Sequence, residues 1–286
     1  MKIIQILTAI IFGIVEGITE WLPVSSTGHM ILLDEFLSLS VGSSDFSEEF
    51  YSMFEVVIQL GAILAVIILF FGKLNPLAPS KSPAEKKGTW ELWFKVLVAI
   101  IPSGVVGVLA DDFLDENLGN YVTVALALIV YGVAFILIER RPSASLPQIV
   151  NTHSITYKTA FFIGMFQMLS LIPGTSRSGS TILGAMLLGL SRAAAAEFSF
   201  FMAIPTMLGA ALVRTLKFAD YVIDEAVAVP AEAWIILAIG SAAAFAVSLV
   251  SIKFLMDFVK KHTFTAFGIY RIALGALVLI YFLIAG

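Results

Sequence analysis

Two carboxylates four residues apart, Glu16 and Glu20, interrupt an apolar run near the start of the chain. On a helix this spacing places both side chains on the same face. Ionisable groups at membrane depth cost about 2.5–3.5 kcal/mol each on insertion scales, and they usually face a functional cavity. The chain has no cysteine and only three histidines, so the pair favours a hard cation, Mg²⁺ or Ca²⁺, over zinc. The alternative is a structural role in which the carboxylates neutralise Arg177.

The hydroxyl-rich sequence that follows predicts a helix break and an anion site. Pro23 has no N–H and disfavours a helical residue before it, so the helix should end there. Ser25, Ser26 and Thr27 can then cap a second helix. Free backbone N–H groups and the positive dipole end at the start of such a helix attract anions. His29 lies three residues after Ser26, which on a helix places an imidazole beside a hydroxyl.

A second polar motif, from Pro173 to Ser180, interrupts another apolar stretch. Its glycines let backbone N–H groups approach an anion closely, and its hydroxyls can donate hydrogen bonds. Arg177 adds a permanent, planar cation whose geometry suits phosphate. A Gly/Ser-rich turn alone is weak evidence for a site. Because this one recurs opposite a carboxylate-bearing counterpart, we interpret the two motifs as halves of one site.

Composition indicates an integral membrane protein. Of the 286 residues, 59% are hydrophobic and 13% are charged, and the mean hydropathy is +0.97. A soluble domain has about 25% charged residues. The net charge of −4 argues against a nucleic-acid partner. Without cysteine, disulfides, iron–sulfur clusters and thiolate catalysis are excluded.

Hydropathy and loop charge together predict the topology. Basic residues concentrate in cytoplasmic loops, which places loop 139–158 inside and loop 214–233 outside. The chain must then cross the membrane an odd number of times between these loops, so each interrupted stretch has to enter and leave on the same side. We therefore predict an all-α polytopic membrane protein with six transmembrane helices plus two re-entrant helix pairs. The spanning stretches are 50–71, 92–110, 119–138, 195–213, 234–256 and 264–285, and the interrupted ones are 3–37 and 159–190. The predicted cytoplasmic loops are 72–91, 139–158 and 253–263, and the external ones are 38–49, 111–118 and 214–233.

The two halves of the chain resemble each other. The segment that ends in Glu16 is echoed by the segment that ends in Gln167, and Pro23 is echoed by Pro173. We predict a single membrane domain, 1–286, made of inverted repeats of about 1–138 and 159–286 joined by the cytoplasmic loop 139–158. Interrupted segments at corresponding places in inverted halves indicate a site near the bilayer midplane. Arg271, about two turns inside the last stretch, is expected to snorkel to the inner surface.

At these residues the sequence resembles the undecaprenyl pyrophosphate phosphatase family, the bacitracin-resistance type of bacterial membrane lipid phosphatase. The resemblance covers nearly the whole chain. It implies hydrolysis of undecaprenyl diphosphate to the monophosphate carrier and inorganic phosphate, which recycles the cell-wall lipid carrier. It also implies a divalent cation and a site open to the outer face of the bacterial cytoplasmic membrane. The motifs that carry it are Glu16-x-x-x-Glu20, Pro23-Val24-Ser25-Ser26-Thr27-Gly28-His29 and Pro173-Gly174-Thr175-Ser176-Arg177-Ser178-Gly179.

Given this resemblance, we predict that Ser26 attacks the terminal phosphorus with His29 as its general base. Arg177 and a cation held by Glu16 and Glu20 would stabilise the equatorial oxygens. A route in which His29 is the nucleophile, or activates water while Ser26 only donates a hydrogen bond, stays open. The predicted diphosphate-binding residues are Ser25, Thr27, Gly28, Gly174, Thr175, Ser176 and Ser178.

An alternative function is that of a secondary transporter or flippase for a polyprenyl-phosphate lipid, since inverted repeats and broken helices are common in transporters. The serine–histidine pairing and Arg177 favour hydrolysis, because a transporter needs only binding groups. Under either function the partners are a polyprenyl lipid and the bilayer, and a homodimer is compatible with both.

Overall fold

The computed structural model describes residues 3–141 and 146–285, and this part of the chain is almost entirely helical. Short 3₁₀ turns lie at Thr152–Ser154 and Leu169–Leu171. The α-helices are α1 (Ile3–Thr19), α2 (Ser26–Phe36), α3 (Ser44–Leu69), α4 (Phe71–Leu74), α5 (Pro83–Leu118), α6 (Tyr121–Glu139), α7 (Tyr157–Met168), α8 (Arg177–Leu187), α9 (Arg192–Asp224), α10 (Ala231–Lys261) and α11 (Thr265–Ala285).

Six helices, α3, α5, α6, α9, α10 and α11, are long and apolar enough to cross a membrane. They coincide with the six predicted stretches, so the protein is a multi-pass membrane protein. The helices extend beyond several of the predicted apolar stretches. Helix α3 begins at Ser44 rather than at 50, and α9 continues to Asp224 rather than ending at 213. Hydropathy locates only the apolar part of a helix, whereas the helix itself continues through polar turns until a cap such as Ser43 ends it.

Two interruptions divide the remaining apolar sequence, as predicted. We call residues 20–25, between α1 and α2, the first break, and residues 172–176, before α8, the second break. Helices α2 and α8 have 11 residues each. At about 1.5 Å per residue each is roughly half as long as the hydrocarbon core of a bilayer is thick, about 30 Å.

The two breaks share an unusual backbone conformation. Ser25 and Ser176 both have a φ of 73°, a region that few non-glycine residues adopt. Each serine side chain accepts a hydrogen bond from the backbone N–H three residues later, at 3.3 Å from Gly28 and 3.1 Å from Gly179. Pro23 lies two residues before Ser25, whereas Pro173 lies three residues before Ser176, so the predicted correspondence of the two prolines was wrong by one residue. In the observed register Ser26 corresponds to Arg177.

Packing brings the two breaks together. Helix α1 packs on α10 and α7 packs on α5, while α2 and α8 both contact α6. The hydroxyl of Ser178 at the start of α8 donates to the Glu20 carbonyl in the first break, at 3.0 Å. The N-terminal ends of α2 and α8 thus lie next to each other.

Candidate active site

Arg271 ties the two breaks to each other. It lies on α11 with 0% of its surface exposed, and its guanidinium donates to the carbonyls of Pro23 (3.3 Å), Gly174 (2.9 Å) and Thr175 (2.8 Å). The expectation that Arg271 snorkels to the inner surface was wrong. A broken helix leaves carbonyls without helical donors, and a buried carbonyl needs a partner. Arginine has enough N–H groups to satisfy three of them.

Two glycines of the second motif allow α6 and Arg271 to approach the second break closely. Gly174 has a φ of +87°, and a Cβ there would come within 2.5 Å of the Val124 carbonyl oxygen on α6. A Cβ on Gly179 would come within 2.9 Å of the Arg271 Nη1 atom. The structure thus explains both glycines by the close approach of α6 and of Arg271.

Arg177 and Glu20 form a buried ion pair that joins the two motifs. The Arg177 Nη2 atom lies 2.8 Å from Glu20 Oε1, and the side chains are 10% and 7% exposed. On the other side of the guanidinium, Nη1 donates to the Ser199 carbonyl at 2.7 Å. Among the described residues the buried Nε atom of Arg177 has no hydrogen-bond partner. Arg177 is therefore held by contacts on two sides, and one of its buried N–H groups is left without a partner among the described residues.

Ser26 is hydrogen bonded to the same carboxylate. Its hydroxyl donates to Glu20 Oε2 at 3.1 Å, so the two oxygens of Glu20 serve Ser26 and Arg177 separately. As the first residue of α2, Ser26 also lies at the positive end of the helix dipole. A continuous polar chain, Ser26–Glu20–Arg177, therefore crosses from the first motif to the second.

His29 has partners other than the predicted one. Its Nδ1 lies 2.7 Å from the Ser25 carbonyl oxygen, and its Nε2 lies 2.7 Å from the Tyr270 hydroxyl. The two rings are stacked, with centroids 5.6 Å apart. Both ring nitrogens are therefore engaged, and the hydroxyl of Ser26 points to Glu20 instead. Sequence analysis missed Tyr270, which lies in an apolar stretch without any motif.

Glu16 supplies the remaining carboxylate. It is 1% exposed, and its Oε1 atom has no hydrogen-bond partner among the described residues. Within the described ranges, no three His, Cys, Asp or Glu side chains cluster closely enough to hold a metal ion by themselves. Mg²⁺ is commonly bound by one or two carboxylates together with substrate phosphates. The unpaired Glu16 oxygen beside the Glu20 region fits that kind of shared site.

The other predicted binding residues differ in where they lie. Ser25, Ser176 and Ser178 lie at the meeting point of the breaks, although their hydroxyls already cap or bridge backbone groups. Thr175 is buried and offers its carbonyl to Arg271. Thr27 is exposed on α2. Gly28 packs against Leu128, to which a Cβ would come within 3.0 Å.

An apolar slot lies directly beside His29. Its volume is about 310 Å³, and it is formed by side chains of α1, α2 and α11. Several of its walls face outward, since Phe36 is 66% and Leu277 is 53% exposed. The slot thus leads from His29 to exposed apolar side chains of α2 and α11. Its lining residues are Val15, His29, Leu32, Leu33, Phe36, Leu277 and Tyr281.

Comparison with known proteins shows which family the chain belongs to. The family model described as bacitracin resistance protein BacA matches residues 9–277. A protein of Enterococcus faecalis named undecaprenyl-diphosphatase is 54% identical over 275 residues, 96% of each chain. One of the same name from Streptococcus mutans is 53% identical over 281 residues, covering 98% of this chain and 97% of that protein. Undecaprenyl-diphosphatase 1 of Clostridioides difficile is 54% identical over 281 residues, with the same coverage. With its motifs, its six membrane-length helices and this full-length match, the chain belongs to the bacitracin resistance protein BacA family.

Proposed function

We propose that this protein is a membrane phosphatase that hydrolyses undecaprenyl diphosphate to undecaprenyl phosphate and inorganic phosphate. The observation that carries the proposal is the Ser26–Glu20–Arg177 chain, which joins a hydroxyl nucleophile, a proton acceptor and a phosphate-binding cation. The names of the relatives from Enterococcus faecalis and Streptococcus mutans support the same activity and substrate.

In the first step the Ser26 hydroxyl attacks the terminal phosphorus. The Ser26–phosphorus bond forms, the bond from phosphorus to the bridging oxygen breaks, and undecaprenyl phosphate leaves. The hydroxyl proton passes to Glu20 Oε2, its hydrogen-bond partner at 3.1 Å. In the second step water attacks the same phosphorus, and the bond between phosphorus and the Ser26 oxygen breaks. Glu20 returns its proton to Ser26, and both hydrogens of the water stay on the released phosphate. This assigns the role of general base to Glu20 rather than to His29, because both ring nitrogens of His29 have other partners.

Positive groups converge where the transferred phosphoryl group must lie. The unpaired Nε–H of Arg177 and the N-terminal ends of α2 and α8 stabilise negative charge on its oxygens. Glu16 and Glu20 would hold Mg²⁺ or Ca²⁺ against the diphosphate, and such a cation would neutralise part of the phosphate charge. The unpaired Oε1 atom of Glu16 supports this assignment.

We also propose that α1–α2 and α7–α8 are re-entrant pairs in two inverted repeats, of about 1–138 and 159–286. The short α2 and α8 and the shared conformation of Ser25 and Ser176 support this arrangement. With loops 72–91, 139–158 and 253–263 in the cytoplasm, the site opens to the outer face of the cytoplasmic membrane. The lipid phosphate would thereby be regenerated on the side where cell-wall polymers are made.

The apolar slot beside His29 fits the part of the prenyl chain nearest the diphosphate. It begins at His29 and ends among exposed apolar side chains of α2 and α11. A chain that follows this path stays in an apolar environment while its diphosphate reaches the two breaks.

Phosphate release from undecaprenyl diphosphate by the purified protein in detergent tests the proposed function. We expect equal amounts of phosphate and undecaprenyl phosphate, and a rate lower by about 1,000-fold or more with Ser26→Ala. A preparation that releases no phosphate but moves the lipid across proteoliposome membranes would contradict the proposal and favour a transporter.

A further inference from the structure

We infer that Tyr270 is a positioning residue that fixes Ser26 by way of His29 and the Ser25 carbonyl. The inference rests on the proposed function and adds a helix, α11, to the catalytic arrangement. Tyr270 touches neither Ser26 nor Glu20 through any described hydrogen bond. Its hydroxyl reaches the site only through the imidazole of His29.

The direction of the hydrogen bonds follows from the chemistry of the partners. A carbonyl oxygen can only accept, so the Nδ1 atom of His29, 2.7 Å from the Ser25 oxygen, must carry a hydrogen. In the neutral ring Nε2 is then the acceptor, and the Tyr270 hydroxyl donates to it at 2.7 Å. The chain therefore runs from Tyr270 through His29 to Ser25, and it selects one tautomer of the ring.

Ser25 is the position at which such support has an effect. Its φ of 73° is a sparsely populated conformation that persists only where surrounding contacts enforce it. It directly precedes Ser26, so any relaxation of Ser25 would move the Ser26 hydroxyl away from Glu20 Oε2. Nucleophiles lose reactivity when they are displaced by as little as about 1 Å.

The two breaks differ in the group that donates a hydrogen bond to the carbonyl of the capping serine. The carbonyl of Ser176 accepts a backbone hydrogen bond from the N–H of Ser180, at 2.9 Å. The carbonyl of Ser25, in the same backbone conformation, accepts from the side chain of His29. Helix α8 thus supports its own first turn, whereas the first turn of α2 is supported by an imidazole that Tyr270 holds.

Helix α11 is rigidly placed to do this. The residue after Tyr270 is Arg271, which is fully buried and bound to carbonyls of both breaks. Tyr270 and His29 are also parallel, with an interplanar angle of 8°. One turn of α11 therefore fixes both the breaks and the histidine ring.

A double-mutant cycle tests the inference. Tyr270→Phe keeps the ring and removes the hydroxyl, so kcat should fall between about 2-fold and 12-fold, the range that one neutral hydrogen bond represents, with KM changed less. In a His29→Gln background the same substitution should have no further effect, because Tyr270 acts through His29. The matched control is Tyr121→Phe. Tyr121 lies on α6 and its ring stacks on Phe282 of α11, so removal of its hydroxyl should leave the kinetics of the parent unchanged.

The outcomes separate this inference from the proposed function. Full activity in Tyr270→Phe with loss of activity in His29→Gln would overturn the inference alone. An equal loss from Tyr270→Phe in both backgrounds would also overturn it, because the hydroxyl would then act elsewhere. Normal kcat in His29→Gln would remove His29 from the proposed site as well.

A spectroscopic measurement covers the case in which His29→Gln is too slow to assay. With ¹⁵N-labelled histidine only three side chains report, and His29→Gln identifies the signals of His29. We expect the tautomer with hydrogen on Nδ1, and a shift of the Nε2 signal in Tyr270→Phe. An unchanged Nε2 signal would contradict the hydrogen bond from Tyr270.

Discussion

The first and second breaks share the backbone conformation of their capping serine but present different side chains around it. In both, a serine with a φ of 73° caps a helix of 11 residues. The next residue is Ser26 in one and Arg177 in the other. Nine residues before the serine lies Glu16 in the first half and Gln167 in the second. Glu16 keeps an unpaired buried oxygen, whereas the amide nitrogen of Gln167 donates to Ser103 and Thr206.

This comparison indicates that the two breaks supply different functional groups to one site. Each break provides the N-terminal end of a helix pointing to the shared centre, which suits an anion whichever side chains are present. The first break adds the nucleophile and the carboxylates, and the second adds the cation. Glu20 in the first break binds both Ser26 and Arg177, so neither break is a complete site alone.

The largest expected effect comes from removing the distinctive hydroxyl of the first break. Ser26→Ala should lower kcat by about 1,000-fold or more, as the loss of a nucleophile does in other hydrolases. Phosphate release measured over hours with excess enzyme quantifies the residual rate. Ser38→Ala, an exposed serine beyond the end of α2, should behave like the parent. A comparable loss in both variants would mean that serine substitution merely unfolds this region.

Removing the distinctive cation of the second break should have the next largest effect. Arg177→Ala should lower kcat/KM by about 10- to 150-fold, since a charge-assisted hydrogen bond contributes about 1.5–3 kcal/mol. Arg177→Lys keeps the charge but cannot bind Glu20, Ser199 and phosphate together, so it should not restore the rate. Steady-state kinetics of both variants check this. Parent-like kinetics in Arg177→Ala would reduce the second motif to a turn.

The tie between the breaks is tested by Arg271→Met. Three carbonyls lose their donor, and an unpaired buried polar group costs about 1–3 kcal/mol, so the protein should unfold at a clearly lower temperature. Thermal unfolding in detergent measures this. Arg140→Met, at an exposed arginine, is the control. Equal unfolding temperatures in the two variants would show that the breaks hold together without Arg271.

Glu16→Gln makes the first half resemble the second, where Gln167 lies at the same distance from its serine. If Glu16 binds the cation, the apparent affinity for Mg²⁺ or Ca²⁺ should weaken by about tenfold or more. Titration of activity with each cation measures this. The same titration curve for variant and parent would assign Glu16 a structural role.

The smallest expected effect concerns the slot, which adjoins only the first break. Leu33→Trp adds volume to its wall and should raise KM for undecaprenyl diphosphate by about fivefold or more, as overpacking costs about 1–3 kcal/mol. KM for a diphosphate with a short prenyl chain should change less. An equal rise for both substrates would exclude the slot as the path of the chain.

Sequence alone was sufficient for the parts that local chemistry dictates. Apolar stretches located the six long helices, and Pro23 and Pro173 located the breaks. The ion pair of Arg177 with Glu20 matches, for one of the two carboxylates, the alternative in which they neutralise Arg177. Buried charges must find each other or a ligand in an apolar bundle, so residue type already restricted the possible partners.

The rest depended on contacts that no local pattern encodes. Arg271 binds one backbone carbonyl 248 residues earlier in the chain and two others 97 and 96 residues earlier, and carbonyls leave no signature in a sequence. The hydrogen bond between Tyr270 and His29 joins residues that are 241 positions apart. It engages the histidine that was predicted to act as the base for Ser26. The correspondence of the halves was one residue out because the prolines, unlike the capping serines, are not equivalent in the two turns.

Rapid acid quench tests the central claim most directly. The enzyme would be mixed with undecaprenyl diphosphate radiolabelled in its terminal phosphate, quenched within one turnover, digested, and its peptides analysed. We predict a phosphorylated peptide with the label on Ser26, formed before inorganic phosphate appears and absent from Ser26→Ala. Release of labelled phosphate without any labelled Ser26 at the earliest times would contradict nucleophilic attack by this serine.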